Sequence, residues 1–211
     1  MLLNELQIVD RLTRSDRKRI IVTPIIDLKA QLGPSSLDVR LGSNFRIVKS
    51  QLYTHLDPTK QEEKIERDVR RYTELLTVSE DPQKNGFILH PGTFVLASTL
   101  EYIRLPNDIT ARLEGRSSWA RIGLLVHTTA GFVDQGYSGT LTFELCNLGM
   151  IPIQLFVGLR IAQICFYETA ESMHPYAKKP SAKYMGQIGP AASAFYKDPE
   201  FQILRDSVET S

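Results

Sequence analysis

The sequence predicts an all-β protein, a sandwich or barrel-like roll of short strands with a short helix at its start. Three observations lead there. Apolar and polar residues alternate in several separate stretches, and apolar runs are cut by proline and glycine. The 211-residue chain is also 42% hydrophobic and 23% charged, an ordinary globular composition. At roughly 100–200 residues per domain this reads as one domain over residues 1–211, with residues 172–211 forming a tail.

The elements follow in order. Residues 2–13 place apolar side chains at Leu2, Leu3, Leu6, Ile8, Val9 and Leu12, which fits a short amphipathic helix. Leu37, Val39 and Leu41 alternate with Ser36, Asp38 and Arg40, the period of a strand with one buried face. Residues 60–71 hold nine charged side chains in twelve, with Ile65 and Val69 four apart, so an exposed loop or a solvated helical turn is expected. Ile109, Ala111 and Leu113 interleave with Thr110, Arg112 and Glu114, and Leu141, Phe143 and Leu145 with Thr140, Thr142 and Glu144. Further strands are expected in the apolar runs 94–97, 151–157 and 161–167. Residues 117–122 break the alternation just before Gly123, as one helical turn opened by a serine cap and closed by glycine would. Beyond Ser172 no apolar periodicity remains, so the tail folds onto something else or stays mobile.

Several function classes fall away. Lys+Arg 25 against Asp+Glu 24 leaves a net charge of +1, which argues against a nucleic-acid wrapper or a membrane-surface binder driven by bulk charge. A local basic pocket for a small anion stays open. The longest run without a charged residue, 85–100, contains Gly and Pro and falls short of the ~20 apolar residues that span a bilayer. Residues 1–11 carry Glu5 and Asp10 and lack the pattern of a secretory leader, so a cytoplasmic protein is expected. Cys146, Cys165, His55, His90, His127 and His174 form no C-x-x-C, H-x-H or H-E-x-x-H pattern, so no protein-held zinc is expected. The cysteines read as buried thiols and His127 as a packed or interface histidine.

Two stretches can carry chemistry. Glu114-Gly115-Arg116-Ser117-Ser118-Trp119-Ala120-Arg121 brings two arginines, two hydroxyls and the free N–H groups of a helix start to one turn, which suits phosphate oxygens. The same octapeptide also reads as a capped turn with solvent-facing arginines. Residues 128–139 contain Gly131, Gly136 and Gly139, so backbone can approach a ligand closely, and the carboxylates of Asp134 and Glu144 flank this hairpin. Glu144 shares a strand face with Thr140 and Thr142 and could equally be a rim residue in water.

Six blocks in order carry a family resemblance: Ser36-Leu37-Asp38-Val39-Arg40-Leu41-Gly42; Gly115-Arg116-Ser117-Ser118 with Arg121; Ala130-Gly131-Phe132-Val133-Asp134; Gly139 through Glu144; Gly158-Leu159-Arg160-Ile161-Ala162-Gln163; and Lys183-Tyr184-Met185-Gly186-Gln187. Together they resemble the dCTP deaminase branch of the trimeric dUTPase superfamily. The resemblance implies a distorted β jelly-roll of the dUTPase-like type, assembled as a homotrimer with active sites between subunits. It implies substrate contacts from Arg116, Ser117, Ser118, Trp119, Ala120, Arg121, Asp134, Thr142, Phe143, Glu144 and Gln163. Tyr176, Lys183 and Gln187 of the tail would close over the nucleotide as a lid. Catalysis is expected of Glu144, with Ser117 and Arg121 positioning water and carboxylate, backbone around residues 128–130 reading the base, and Asp134 serving a second, phosphate-cleaving step. Mg2+ would ride on the triphosphate, and dTTP is the expected competing feedback inhibitor.

The resemblance also bears on the product. Family members that stop at dUTP usually carry a bulky His-Arg pair after the hairpin alanine, whereas dUMP-forming members carry glycine. Ala130 is followed here by Gly131 and Phe132, so the expected products are dUMP, ammonia and pyrophosphate, for thymidylate supply; a monofunctional deaminase releasing dUTP is the alternative. Gln135 departs from the proline or alanine more familiar after the aspartate. A dUTPase without deaminase activity is disfavoured because Arg116, Arg121 and Glu144 match the deaminase branch. A non-catalytic nucleotide sensor would have no need of Glu144. Zinc-dependent base deaminases carry H-x-E and P-C-x-x-C, both missing from this chain, so water is expected to be activated by a carboxylate and hydrogen bonds.

Overall fold

A computed structural model describes residues 1–49, 55–57, 59–60, 62–81 and 86–209. In chain order its elements are α1 (Glu5–Thr13), β1 (Ile21–Thr23), α2 (Leu28–Gln31), β2 (Leu37–Val48), α3 (Glu62–Arg71), β3 (Thr73–Thr77), β4 (Phe87–Leu89), β5 (Phe94–Arg104), β6 (Ile109–Gly115), α4 (Ser117–Ala120), β7 (Leu124–Leu125), β8 (Phe132–Val133), β9 (Ser138–Asn147), β10 (Ile153–Leu155), β11 (Arg160–Glu168) and α5 (Pro199–Glu209). The fold is mostly β, a curled antiparallel sheet in the order β7-β9-β5-β2-β11-β6-β8, with β1 added on β5 and β3 on β2. The pair β10-β4 stands apart from it.

Local chemistry explains the elements. α1 starts at a reciprocal cap: Asn4 Oδ1 accepts from the Gln7 N–H and Gln7 Oε1 from the Asn4 N–H, both at 3.0 Å. Strand alternation puts Leu37, Val39, Leu41 and Phe45 of β2 and Leu141, Phe143 and Leu145 of β9 into one core, where Phe45 stacks on Phe87 at 4.4 Å between ring centroids. Gly123 closes α4 at φ +95°, and a Cβ there would lie 2.3 Å from the Gly149 nitrogen, so only glycine fits.

Five expectations need correction. Arg40 is not on a solvated face but buried, because the fully buried Glu101 accepts from its backbone N–H at 2.8 Å and its Nε at 2.6 Å. Within the charged stretch 60–71, Glu62–Arg71 form a helix of nearly three turns, since Ile65 and Val69, one turn apart, bury against Tyr196 of the tail in a second small core. Arg116, not a serine, is the N-cap of α4, and it caps with its backbone alone. The run 151–157 is extended only over β10, following Pro152. Cys146 and Cys165 are free and only partly buried; burial nevertheless pushes the Cys165 thiol pKa up.

The tail turns back onto its own chain. The Gly186 N–H donates to the Ser138 carbonyl at 2.7 Å, and the Thr140 N–H donates to the Gln187 carbonyl at 3.0 Å, so residues 186–189 run along β9. α5 was not expected from the sequence. It rests on a buried arginine, Arg205, whose guanidinium reaches the Tyr196 carbonyl at 3.4 Å, and on an edge-to-face contact of Phe201 with Phe195, rather than on an apolar stripe.

Glu101→Leu leaves Arg40 buried without its counter-ion and should cost about 3–5 kcal/mol of stability, read from denaturant unfolding. The double variant Arg40→Met/Glu101→Leu should recover part of the loss, the remainder reflecting the Arg40 N–H and Gln31 amide left without their acceptor.

Candidate active site

β9 sets the site. Its two-residue period turns Thr140, Thr142 and Glu144 to the face opposite Leu141, Phe143 and Leu145, and the Glu144 N–H donates to the Val126 carbonyl at 3.0 Å. That contact brings the next residues alongside the carboxylate. Glu144 Oε2 accepts from the Thr128 N–H at 2.9 Å and from Thr128 Oγ1 at 2.5 Å. One carboxylate oxygen is thus held by two donors. No protein donor among the described residues reaches the other.

Glu144 lines a cavity of about 350 Å3 together with Ala130, Asp134, Thr142, Tyr176, Tyr184 and Gln187. The Gln187 amide donates to the Thr140 carbonyl and to Thr142 Oγ1, each at 2.8 Å, so the tail is fastened over the strand that carries Glu144. Gln187 Oε1 is buried and has no hydrogen-bond partner among the described residues, leaving an acceptor for a ligand N–H. Tyr137, whose hydroxyl donates to the Thr140 carbonyl at 2.7 Å, is kept protonated by burial, which pushes its pKa well up.

The glycine hairpin forms the opposite wall. The Leu113 N–H donates to the Gly131 carbonyl at 2.7 Å, and a Cβ on Gly131 would come within 2.8 Å of the Leu113 carbonyl oxygen and 3.0 Å of the His127 ring. Gly131 therefore has no room for a side chain in this arrangement. His127 is packed there, its Nδ1 buried without a hydrogen-bond partner among the described residues and its Nε2 3.9 Å from Glu114. Phe132 pairs through β8 with β6 and points outward, 62% exposed.

The arginine turn makes a separate group. Ser117, Ser118, Ala120 and Arg121 are exposed. Arg116 Nη1 and Trp119 Nε1 both donate to the Arg160 carbonyl, at 2.9 and 3.0 Å, and Arg116 Nε lies 3.3 Å from Asp38. Burial pushes the Asp38 pKa up, and Arg116 and Arg160 pull it part of the way back. Gln163 belongs to this group, opposite Asp38 and Glu114 in the sheet, with its Oε1 accepting from Ser36 Oγ at 2.8 Å.

The structure thus brings Ala130, Asp134, Thr142, Glu144, Tyr176 and Gln187 together, while no residue of the arginine turn lines their cavity. Ser117 and Arg121 are not among the contacts of Glu144. Phe143 has its side chain in the core and Lys183 is bound to Asp198, at 2.7 and 2.8 Å. The backbone at Thr128 was expected to read the base; its hold on Glu144, the pairing of Asp38 with Arg116, and Tyr184 and Asp198 as neighbours of site residues were not foreseen. Only the hydroxyl of Thr128, at the head of the hairpin, hinted at its role. Among the described residues no group of three or more His, Cys, Asp or Glu is arranged to hold a metal ion.

A curled antiparallel β fold with a strand-borne glutamate facing a glycine hairpin defines a class that comparison makes specific. A family model described as dCTP deaminase-like matches residues 3–169, and the chain belongs to that family. Among its relatives is a protein of Mycobacterium avium (strain 104) named dCTP deaminase, dUMP-forming, which is 44% identical over 182 residues, 85% of this chain and 90% of the relative. A relative of the same name from Mycobacterium tuberculosis (strain ATCC 25177 / H37Ra) is 43% identical over 182 residues, with the same coverage. The fold is also that of the crystal structure of 2'-deoxycytidine 5'-triphosphate deaminase from Agrobacterium tumefaciens, with a TM-score of 0.56 and 24% identity, covering 78% of this chain and 46% of the other.

Gly131→Ala must displace the hairpin from the Leu113 carbonyl and should lower stability by roughly 1–3 kcal/mol, read as a fall in Tm.

Proposed function

We propose that the chain hydrolyses dCTP to dUMP, ammonia and pyrophosphate in the cytoplasmic nucleotide pool, in two steps at one site. The observation that carries the reading is Glu144, pinned by Thr128 with one oxygen left to the cavity, in a chain of the dCTP deaminase-like family. In the first step a water attacks C4 of cytosine. Glu144 takes its proton and returns it to the departing ammonia, so one carboxylate serves as base and then acid. Thr128 keeps the carboxylate from turning away, and the free Oε1 of Gln187 stands ready for a donor on the nucleotide.

In the second step a water attacks the α-phosphorus in line, and the bond to the pyrophosphate oxygen breaks. Asp134, on the cavity wall, orients that water and the deoxyribose. Arg116, Arg121, Ser117 and Ser118 stabilise the charge that builds on pyrophosphate. Mg2+ supplies further charge neutralisation when bound with the triphosphate; its preference for phosphate oxygens and water fits a turn whose donors are arginine and serine. Support for dUMP as the product comes from Gly131, which has no room for a side chain, and from the relatives' name.

Assembly completes the site. The arginine turn and the Glu144 cavity lie apart in one chain, and beside the turn Ile122, Leu125, Leu148, Met150 and Ile151 are exposed. Neighbouring exposed apolar residues mark an interaction surface. A homotrimer that covers them would set the turn of one subunit against the cavity of the next, under a lid formed by residues 172–211. dTTP would compete for the same cavity.

With dCTP and Mg2+, separated products should show dUMP rising as dCTP falls; dUTP accumulating in its place would identify a monofunctional deaminase. Glu144→Gln should reduce ammonia release by about 10^2–10^4-fold while dCTP still binds within a few-fold of wild type, and normal turnover would remove Glu144 from the mechanism.

A further inference from the structure

The block Ser36-Leu37-Asp38-Val39-Arg40-Leu41-Gly42 is accounted for only in part by the fold: Leu37, Val39 and Leu41 enter the core and Arg40 pairs with Glu101. Ser36 and Asp38 remain, two residues apart and so on one side of the chain as it enters β2. Both reach residues assigned above to the nucleotide. Ser36 Oγ donates to Gln163 Oε1 at 2.8 Å, and Asp38 Oδ2 lies 3.3 Å from both Arg116 Nε and Arg160 Nη1.

We propose that Ser36 and Asp38 are positioning residues for the substrate's phosphates, holding Gln163 and Arg116 in their binding orientation. This rests on the reading of the arginine turn given above. The Asp38 side chain is 14% exposed, and a carboxylate so far removed from water needs its two guanidinium partners. Arg116 is fixed along one edge, Nε toward Asp38 and Nη1 to the Arg160 carbonyl at 2.9 Å. Its Nη2 has no partner among the described residues, and the side chain is 33% exposed. A guanidinium held on one edge and open on the other presents a fixed donor to a phosphate and has little rotamer freedom left to lose on binding. Asp38 also separates two like charges, since Arg116 and Arg160 meet at its single oxygen. Without it, only a carbonyl would restrain Arg116, with the charge of Arg160 close by.

The test compares ligands with and without phosphates. Calorimetry in the Glu144→Gln background, which is expected to bind dCTP without appreciable turnover, with dCTP and Mg2+ and separately with deoxycytidine, sets the baseline for the variants below. Asp38→Ala should weaken dCTP binding by about tenfold, the scale of one hydrogen bond to a charged group, and leave deoxycytidine binding within a factor of about two. Asp38→Asn, which keeps an acceptor, should recover part of the loss, and Ser36→Ala, a smaller change, should weaken dCTP binding by a few-fold. Unchanged or tighter dCTP binding in Asp38→Ala would show that the carboxylate only neutralises the arginines. Equal weakening of both ligands would show a purely structural role. If wild-type protein neither binds nor deaminates dCTP, the reading of the turn fails, and this inference with it.

Discussion

Arg40 and Glu101 meet in the middle of the sheet with almost no contact with water, and the strands on either side are organised around that pair. Glu101 lies near the end of β5 and Arg40 near the start of β2. The same carboxylate also receives the Gln31 amide at 3.3 Å, and the Arg40 guanidinium reaches the Pro24 carbonyl at 2.7 Å. The end of α2 and the segment that follows β1 are thereby tied to the two longest strands. A charge so deep cannot shift by one residue without losing its partner, so the pair acts as a register pin. β5 in turn holds β9, setting Leu96 opposite Glu144 and Ser98 opposite Thr142, and β2 holds β11, which brings Gln163 opposite Asp38. Both halves of the proposed site take their positions from strands that meet at this ion pair.

Those halves differ in how they are built. The Glu144 side is a cavity with fixed donors and tightly placed backbone, where a base and sugar can be enclosed. The arginine side is open, with cations restrained from behind by Asp38 and the Arg160 carbonyl. This division suits a substrate with a flat, weakly polar end and a highly charged end. It also shows how a chain with a net charge of +1 can be proposed to handle a triphosphate: Arg116 and Arg121 stand in one turn, and local placement matters more than the total.

The strands were legible in the sequence because alternation reports one-sided burial directly: β2 and β6 begin at Leu37 and Ile109, and β9 contains the whole pattern that starts at Leu141. Asp134 and Glu144 were legible from their place around three glycines, and the family from the order of six blocks. What the sequence concealed depends on partners distant along the chain. Arg40 alternates as a surface residue would, and only Glu101, 61 positions on, makes it an interior one. Ile65 and Val69 are too few for an apolar face until Tyr196 arrives to cover them. The Thr128 contact with Glu144 needs the chain to turn back on itself across sixteen residues, and no spacing rule reports that.

The small core around α3 gives the tail a mechanical character. Where the tail sets out, the Tyr176 N–H is bonded to the Gln135 carbonyl at 2.8 Å; farther along, Tyr196 is buried against Ile65 and Val69. The stretch between them is a bridge anchored on both banks, not a flap with a free edge. Such a bridge, bonded to β9 at Gly186, Gln187 and Gly189 as well, can lift only where those bonds break and cannot swing clear while both anchors hold. Its stiffness at the far bank is set outside the cavity lining, by how well two aliphatic side chains of a charged helix grip one tyrosine.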